Sequence, residues 1–216
     1  MDLYELDSGI SGPTRLFVGG VHGREGKITG PILRDLAKEG SPAKGRAIIV
    51  PAICENKKHI STLREKYYHT REGRSLLSII KQHKPDIYVE AHCYRQSAYE
   101  ALTDPERKKK KGVPPLIELE KGTLIGSVSP FLLSRFAFET SILLEVPCRS
   151  LESRKVVLEL LKVALNFGNR DEIFGEYRRR YPKQIGEAVG LFYAWFSGKT
   201  WPHRFILSEP FSNSKP

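Results

Sequence analysis

The sequence predicts an α/β fold: a mostly parallel or mixed twisted sheet with helices on both faces. Two observations carry this. Short apolar runs that end in glycine, proline or a polar residue alternate with stretches whose apolar residues recur at helical spacing. Strands alternating with helices in this way build a sheet that is covered on both sides.

Thr14–Val18 reads as a buried strand that stops at Gly19-Gly20, and a glycine-rich loop, Gly19–Gly26, follows it. Thr29–Glu39 reads as a helix, with Pro31 in its first turn, Ile32, Leu33 and Leu36 on one face, and Gly40 past its end. Arg46–Val50 is a second strand that stops at Pro51. Cys54–Thr70 is polar and basic without a clear period, so it reads as a loop with at most a helical turn. Gly73–His83 carries Leu76, Leu77, Ile79 and Ile80 at helical spacing and stops before Pro85. Asp86–Ala91 is a third strand, Thr103–Pro115 a charged loop flanked by proline, and Leu116–Glu120 an edge strand. Ser141–Val146 is a strand and Leu151–Leu165 the longest amphipathic helix. Beyond Gly168 the chain changes character: Asp171–Tyr181 is helical and very basic, Gln184–Phe196 is apolar and aromatic, and Ser208–Pro216 reads as a frayed tail. The expected organisation is an α/β domain over residues 1–168 and a helical extension, 169–216, packed on it.

Composition narrows the class. With 216 residues, 40% hydrophobic and 28% charged, the chain can bury a full core without staples. The first apolar stretch, Arg15–Val21, is too short for a secretory signal, and no run approaches the roughly 18–20 apolar residues of a membrane helix. A cytoplasmic protein without a membrane segment is expected. Three cysteines, Cys54, Cys93 and Cys148, are too few for a disulfide framework and suit a reducing compartment. The net charge of +10 favours anionic partners and says little about fold. Its densest block, Arg107–Lys111, reads as a solvated loop, with nucleic acid or an acidic partner as the sharper reading.

In parallel sheets ligands bind at the carboxyl ends of the strands. His22 lies four residues past the first strand, and Glu25 three past His22, with glycines on both sides that let the backbone turn and a cation approach. The third strand runs into Glu90-Ala91-His92-Cys93. Residues two apart on a strand point the same way, so Glu90 can support His92. Two histidines and one glutamate are the ligand set of catalytic zinc sites that keep a fourth position open. The apolar strand at Ser141 runs into Glu145, a carboxylate that is costly to bury unless it is paired or near a cation. Each piece has a bland reading: a histidine after a strand is ordinarily a surface residue, and Gly-Gly before a helix equally suits a phosphate. The combination is what points to zinc.

At these residues the chain resembles the zinc carboxypeptidase superfamily, and most closely its succinylglutamate desuccinylase/aspartoacylase branch. That branch carries Gly-Gly-x-His-Gly-x-Glu after its first strand, which Gly19–Glu25 (GGVHGRE) matches in full. Its later Asp-Leu-His is matched conservatively by Glu90-Ala91-His92, and its catalytic glutamate by Glu145. The chain also resembles an uncharacterised archaeal family distantly related to that branch. The likeness covers roughly Arg15 to Glu145. The gap from Glu25 to His92 is short for the superfamily, so a trimmed version of its fold is expected.

The resemblance implies zinc held by His22, Glu25 and His92 and hydrolysis of an amide, with Glu145 carrying the proton. The branch's Asn-Pro, Arg and Asp-Leu-Asn-Arg segments hold substrate. Here the nearest matches are Asn56 without its proline, Arg64, and Thr70-Arg71, so Asn56, Arg64 and Arg71 are the candidate substrate residues. The net positive charge suits a small acidic substrate such as an N-acyl amino acid, a peptide C-terminus or an acidic cofactor precursor, and does not choose among them. The rivals are an inactive relative that binds a protein partner, and a nucleic-acid-binding protein built on Arg107–Lys111 and Arg178–Arg180. No groove motif with interleaved aromatics supports the latter. The cysteines are expected on the ligand-bearing edge, either as ordinary packing or lining the zinc pocket.

Overall fold

The computed structural model describes residues 2–53, 59–197 and 199. It shows the expected mixed α/β architecture. The elements in chain order are β1 Tyr4–Asp7, β2 Thr14–Gly19, α1 Gly26–Ala37, β3 Arg46–Val50, α2 Glu65–Tyr68, α3 Arg71–His83 and β4 Ile87–Tyr94. There follow α4 Tyr99–Thr103, α5 Arg107–Lys111, β5 Ile117–Glu118, β6 Leu124–Gly126, α6 Pro130–Leu133, β7 Thr140–Pro147, α7 Leu151–Asn166, α8 Arg170–Arg180 and α9 Pro182–Phe196.

The seven strands form one sheet in the order β1-β3-β2-β4-β7-β6-β5. The central four run parallel. β1 closes one edge antiparallel to β3, and β6 and β5 extend the other edge antiparallel. From β2 the chain passes through α1 to β3 on one side, whereas β4 lies on the other side of β2. The crevice between the carboxyl ends of β2 and β4 is therefore a topological switch point, the place where such sheets bind ligands.

Alternation along the strands divides the core in two. Phe17, Ile49, Val89, Ile142 and Leu144 face α1 and α7, whose Leu33, Leu36, Leu160 and Leu161 cover them. Leu16, Val18, Ile48, Val50, Tyr88 and Leu143 face the other way, under Leu76, Ile79 and Ile80 of α3 and Leu132 and Leu133 of α6. Beyond Gly168, α8 and α9 bury Ile173, Tyr177 and Ile185 in the first layer, while Trp195 and Phe196 reach the second. Arg15 is fully buried in β2 and donates to the carbonyls of Pro13, Lys44, Ala164 and Phe167. Its guanidinium thus pins the end of α7, where carbonyls lack partners within the helix.

Several boundaries differ from the sequence reading. α1 begins at Gly26 rather than Thr29, so Pro31 lies inside it. Hydrogen bonds from Ile28 N and Thr29 N to Glu25 O start the helix early, and the Thr29 hydroxyl, which donates to Glu25 O and accepts from Gly20 N, locks that start to the loop. β4 continues to Tyr94, which places His92 within the strand. The stretch read as a loop from Thr103 to Pro115 contains α5, which has no apolar period to betray it. In the turn ahead of it Asp104 accepts from Glu106 N and pairs with Lys110, while Glu106 pairs with Lys109. β1 and β6 escaped the sequence reading because four- and three-residue strands are defined by their partners. The tail Ser208–Pro216 lies outside the described residues. No helix among the described residues is long and apolar enough to cross a membrane.

Candidate metal centre

β2 and β4 are direct neighbours, with Gly19 opposite Ala91. The loop that leaves β2 therefore meets the end of β4 across one interstrand spacing. Gly20 adopts φ +55, and a Cβ there would lie 2.8 Å from both Ala52 Cβ and Gly26 Cα. Only glycine makes this turn, which swings His22 and Glu25 over the sheet edge.

Ligand atoms from His22, Glu25 and His92 all lie within 4.8 Å of one another, and all three residues are buried. The Glu25 carboxylate sits between the imidazoles. Its Oε1 is 3.3 Å from His22 Nδ1 and its Oε2 is 3.2 Å from His92 Nδ1. The other His92 nitrogen, Nε2, lies 3.1 Å from Glu90 Oε2, and Glu90 Oε1 accepts from the Tyr88 hydroxyl at 2.6 Å. Carboxylate support of this kind fixes a ligating imidazole's tautomer and orientation.

Burial, together with the neighbouring His92 and His59 rings, pushes the His22 pKa down to about 2. His22 is therefore neutral, as a ligating imidazole must be. Its buried Nδ1, although 3.3 Å from Glu25 Oε1, lacks the geometry of a hydrogen bond, and a cation coordinated there would satisfy it. Burial opposes a charge on His92 as well, but the Glu25 and Glu90 carboxylates outweigh it and hold its pKa well above the usual imidazole value. Without a cation, a proton on His92 offsets part of the charge of the Glu25 and Glu90 carboxylates. The donor set, its enclosure and the unsatisfied nitrogen fit a metal ion.

Glu145 is the register partner of His92 on β7. The residue is half-buried, yet its Oε2 is shielded from solvent and makes no hydrogen bond. Burial raises its pKa from the usual 4.5 to about 7; Glu25 and Glu90 push in the same direction, while the charges of His92 and Arg107 oppose. Arg107 is thus part of this neighbourhood. It is 8% exposed, donates from Nη1 to Pro114 O at 2.6 Å, and feels the Glu145 charge. The sequence reading left Arg107 in a solvated basic block. Its neighbours Lys108 to Lys111 are indeed exposed, but α5 turns its first residue inward.

The profile of a family described as an uncharacterized protein conserved in archaea (DUF2119) matches residues 10–197. The chain belongs to this family. The DUF2119 chain is 38% identical over 192 residues to uncharacterized protein MJ0501 of Methanocaldococcus jannaschii, covering 87% of this chain and 93% of that one. Among solved structures it is similar to the product-bound ectoine utilization protein EutE (DoeB) of Ruegeria pomeroyi (18% identity, TM-score 0.45, 74% of this chain and 58% of that one). It is also similar to an aspartoacylase family protein of Mesorhizobium loti (18% identity, TM-score 0.43, 77% and 62%). A third is a succinylglutamate desuccinylase/aspartoacylase of Rhodobacter sphaeroides (17% identity, TM-score 0.42, 77% and 60%). The DUF2119 chain spans about six-tenths of the length of these solved chains.

The remaining candidates are distributed unevenly. Arg64 and Arg71 are exposed, at the starts of α2 and α3. α3 runs back toward the start of β4, so Arg71 lies at the carboxyl edge of the sheet. The Tyr67 hydroxyl donates to Val21 O at 2.8 Å and ties α2 to the loop that carries His22. Asn56 and Cys54 lie outside the described residues. His59, which the sequence reading passed over, places its ring 4.2 Å from that of His22, edge to face. Nothing in its local sequence signals this, because the contact joins two separate loops. Cys93 and Cys148 approach each other on the sheet layer facing α1 and α7; alternation puts Cys93 on the opposite face from Glu90 and His92. Burial, Cys148 and the Glu25 and Glu145 carboxylates raise the Cys93 pKa far above the usual thiol range.

Proposed function

We propose that this DUF2119 protein is a zinc-dependent amide hydrolase, of the deacylase or carboxypeptidase type, acting on a small acidic substrate such as an N-acyl amino acid or a peptide C-terminus. The observation that supports it is the enclosed His22–Glu25–His92 cluster with the Glu145 carboxylate on the next strand. These three residues would hold the ion, which when bound supplies Lewis acidity to a scissile carbonyl and acidifies a water.

The chain's own groups do the rest. In the metal-free chain burial raises the Glu145 pKa from the usual 4.5 to about 7, and a carboxylate placed here can take a proton and return it. Its unpartnered Oε2 is the accepting atom, and the leaving amine receives the proton from it. Tyr88 holds Glu90, and Glu90 holds His92, so the imidazole does not rotate away from the cluster. Arg107 keeps positive charge beside Glu145 and favours the ionised carboxylate. Arg64, Arg71 and Asn56 are the residues proposed to hold a substrate carboxylate, for which an arginine fork is the matching geometry.

Elemental analysis of the purified protein tests the reading. One zinc per chain is expected, lost in His22→Ala and in His92→Ala with circular dichroism preserved. Unchanged metal in either variant would sink it. Zinc-loaded protein is then offered a panel of acidic N-acyl amino acids and peptides. Metal without turnover across the panel would leave a binding module in place of a hydrolase.

A further inference from the structure

We propose that Cys93 and Cys148 form a reversible disulfide modification site whose oxidant is a small anionic disulfide. This stands apart from the metal reading. Cys93 is on β4, where its register partner is Val146 of β7, and Cys148 follows two residues later. The backbone bond from Cys148 N to Tyr94 O, 2.9 Å, holds the turn after β7 against the end of β4. The two Sγ atoms lie 2.7 Å apart. A movement of roughly 0.7 Å brings them to the ~2.05 Å of a covalent bond.

Both cysteines are half-buried. Cys148 lines an open cavity of about 500 Å³ with Tyr94, Arg95, Gln96 and Arg149, whose lining does not include Cys93. Arg95 and Arg149 are exposed there. Two guanidinium groups beside the accessible thiol favour an anionic disulfide over a cationic one.

The chemistry balances as thiol–disulfide exchange. The Cys148 thiol loses its proton to solvent and attacks one sulfur of R–S–S–R. The Cys148–S–S–R bond forms, the R–S–S–R bond breaks, and R–S⁻ leaves and is protonated. Cys93, giving up its proton, attacks Cys148 Sγ and expels the second R–S⁻. Two protein thiols are oxidised and one small disulfide is reduced to two thiols.

The test uses the reduced, full-length protein in the presence of a chelator and the absence of oxygen. It is treated with oxidised glutathione, which is anionic, or cystamine, which is cationic. Thiols counted after denaturation should fall from three to one with oxidised glutathione, and peptide mapping should find Cys93 joined to Cys148. Three remaining thiols, or a bond that includes Cys54, would overturn the proposal; this count needs no variant and does not depend on one folding. With Cys93→Ser, Cys148 should hold one glutathione as a stable mixed disulfide. With Cys148→Ser, Cys93 should stay free, and its modification at the rate of the wild type overturns the order of attack. At low salt oxidised glutathione should react on the order of tenfold faster than cystamine, with the gap narrowing as salt rises. Equal rates at low salt would refute the anionic oxidant.

Discussion

Glu145→Gln tests whether the site carries a destabilising group that function retains. Glutamine keeps the shape of the side chain and cannot ionise. The fold raises the carboxyl pKa from 4.5 to about 7, so the folded chain holds this proton more tightly than the unfolded chain does. The stability that goes with the protonated form is therefore complete below pH 4.5 and is lost as pH rises through about 7. About 2.5 pH units at ~1.4 kcal/mol each amounts to on the order of 3 kcal/mol. In metal-free protein the wild type should lose that much, relative to Glu145→Gln, between pH 4.5 and pH 8. For a chain of this size it corresponds to roughly 6–12 °C in Tm. Urea unfolding followed by circular dichroism, with chelator at both pH values, measures the difference of differences and cancels any fixed offset from the substitution. Parallel pH profiles for the two proteins would show that Glu145 is not held protonated by its surroundings. In zinc-loaded protein the same variant should keep its metal and lose hydrolysis. Hydrolysis by the variant at the wild-type rate would remove Glu145 from the role of base.

Three further outcomes are expected. Glu90→Gln leaves His92 Nε2 without its carboxylate and should weaken zinc binding roughly 10–100-fold, read by competition with a chromophoric chelator; unchanged affinity would show that Glu90 does not support His92. Arg107→Ala removes positive charge from beside Glu145 and should move the rising limb of the rate–pH profile to higher pH, while Arg107→Lys restores part of the shift; a profile that stays put would leave Arg107 as packing for Pro114. Duplex DNA at about 0.15 M salt should bind weakly and without sequence preference, because Lys109 and Lys110 are paired with Glu106 and Asp104 and Arg107 is buried. Tight, selective binding measured by fluorescence anisotropy would restore the nucleic-acid reading.

The sequence by itself determined the central strands, the three long helices α1, α3 and α7 that flank them, and the residues of the cluster. Those signals are local. β3 is the run Arg46–Val50 to the residue, because an apolar stretch between a polar region and a proline has one reading. His22 and Glu25 are legible because three residues and a pair of glycines fix their relation, and Glu90 with His92 because a strand has a period of two. Tertiary structure alone decided the rest. It set β2 beside β4, and so placed the two halves of the cluster together across 67 residues of chain. It set β7 beside β4, and so brought Glu145 level with His92 and Cys148 against Cys93. It turned Arg107 inward from a run of five basic residues that looks uniform along the chain. It also made strands of Tyr4–Asp7 and Leu124–Gly126, which have no apolar pattern of their own. The physical reason is the same in each case. Periodicity records which face of an element is buried, whereas strand order, interstrand register and the electrostatics of a shared cavity arise only between elements, where no spacing along the chain encodes them.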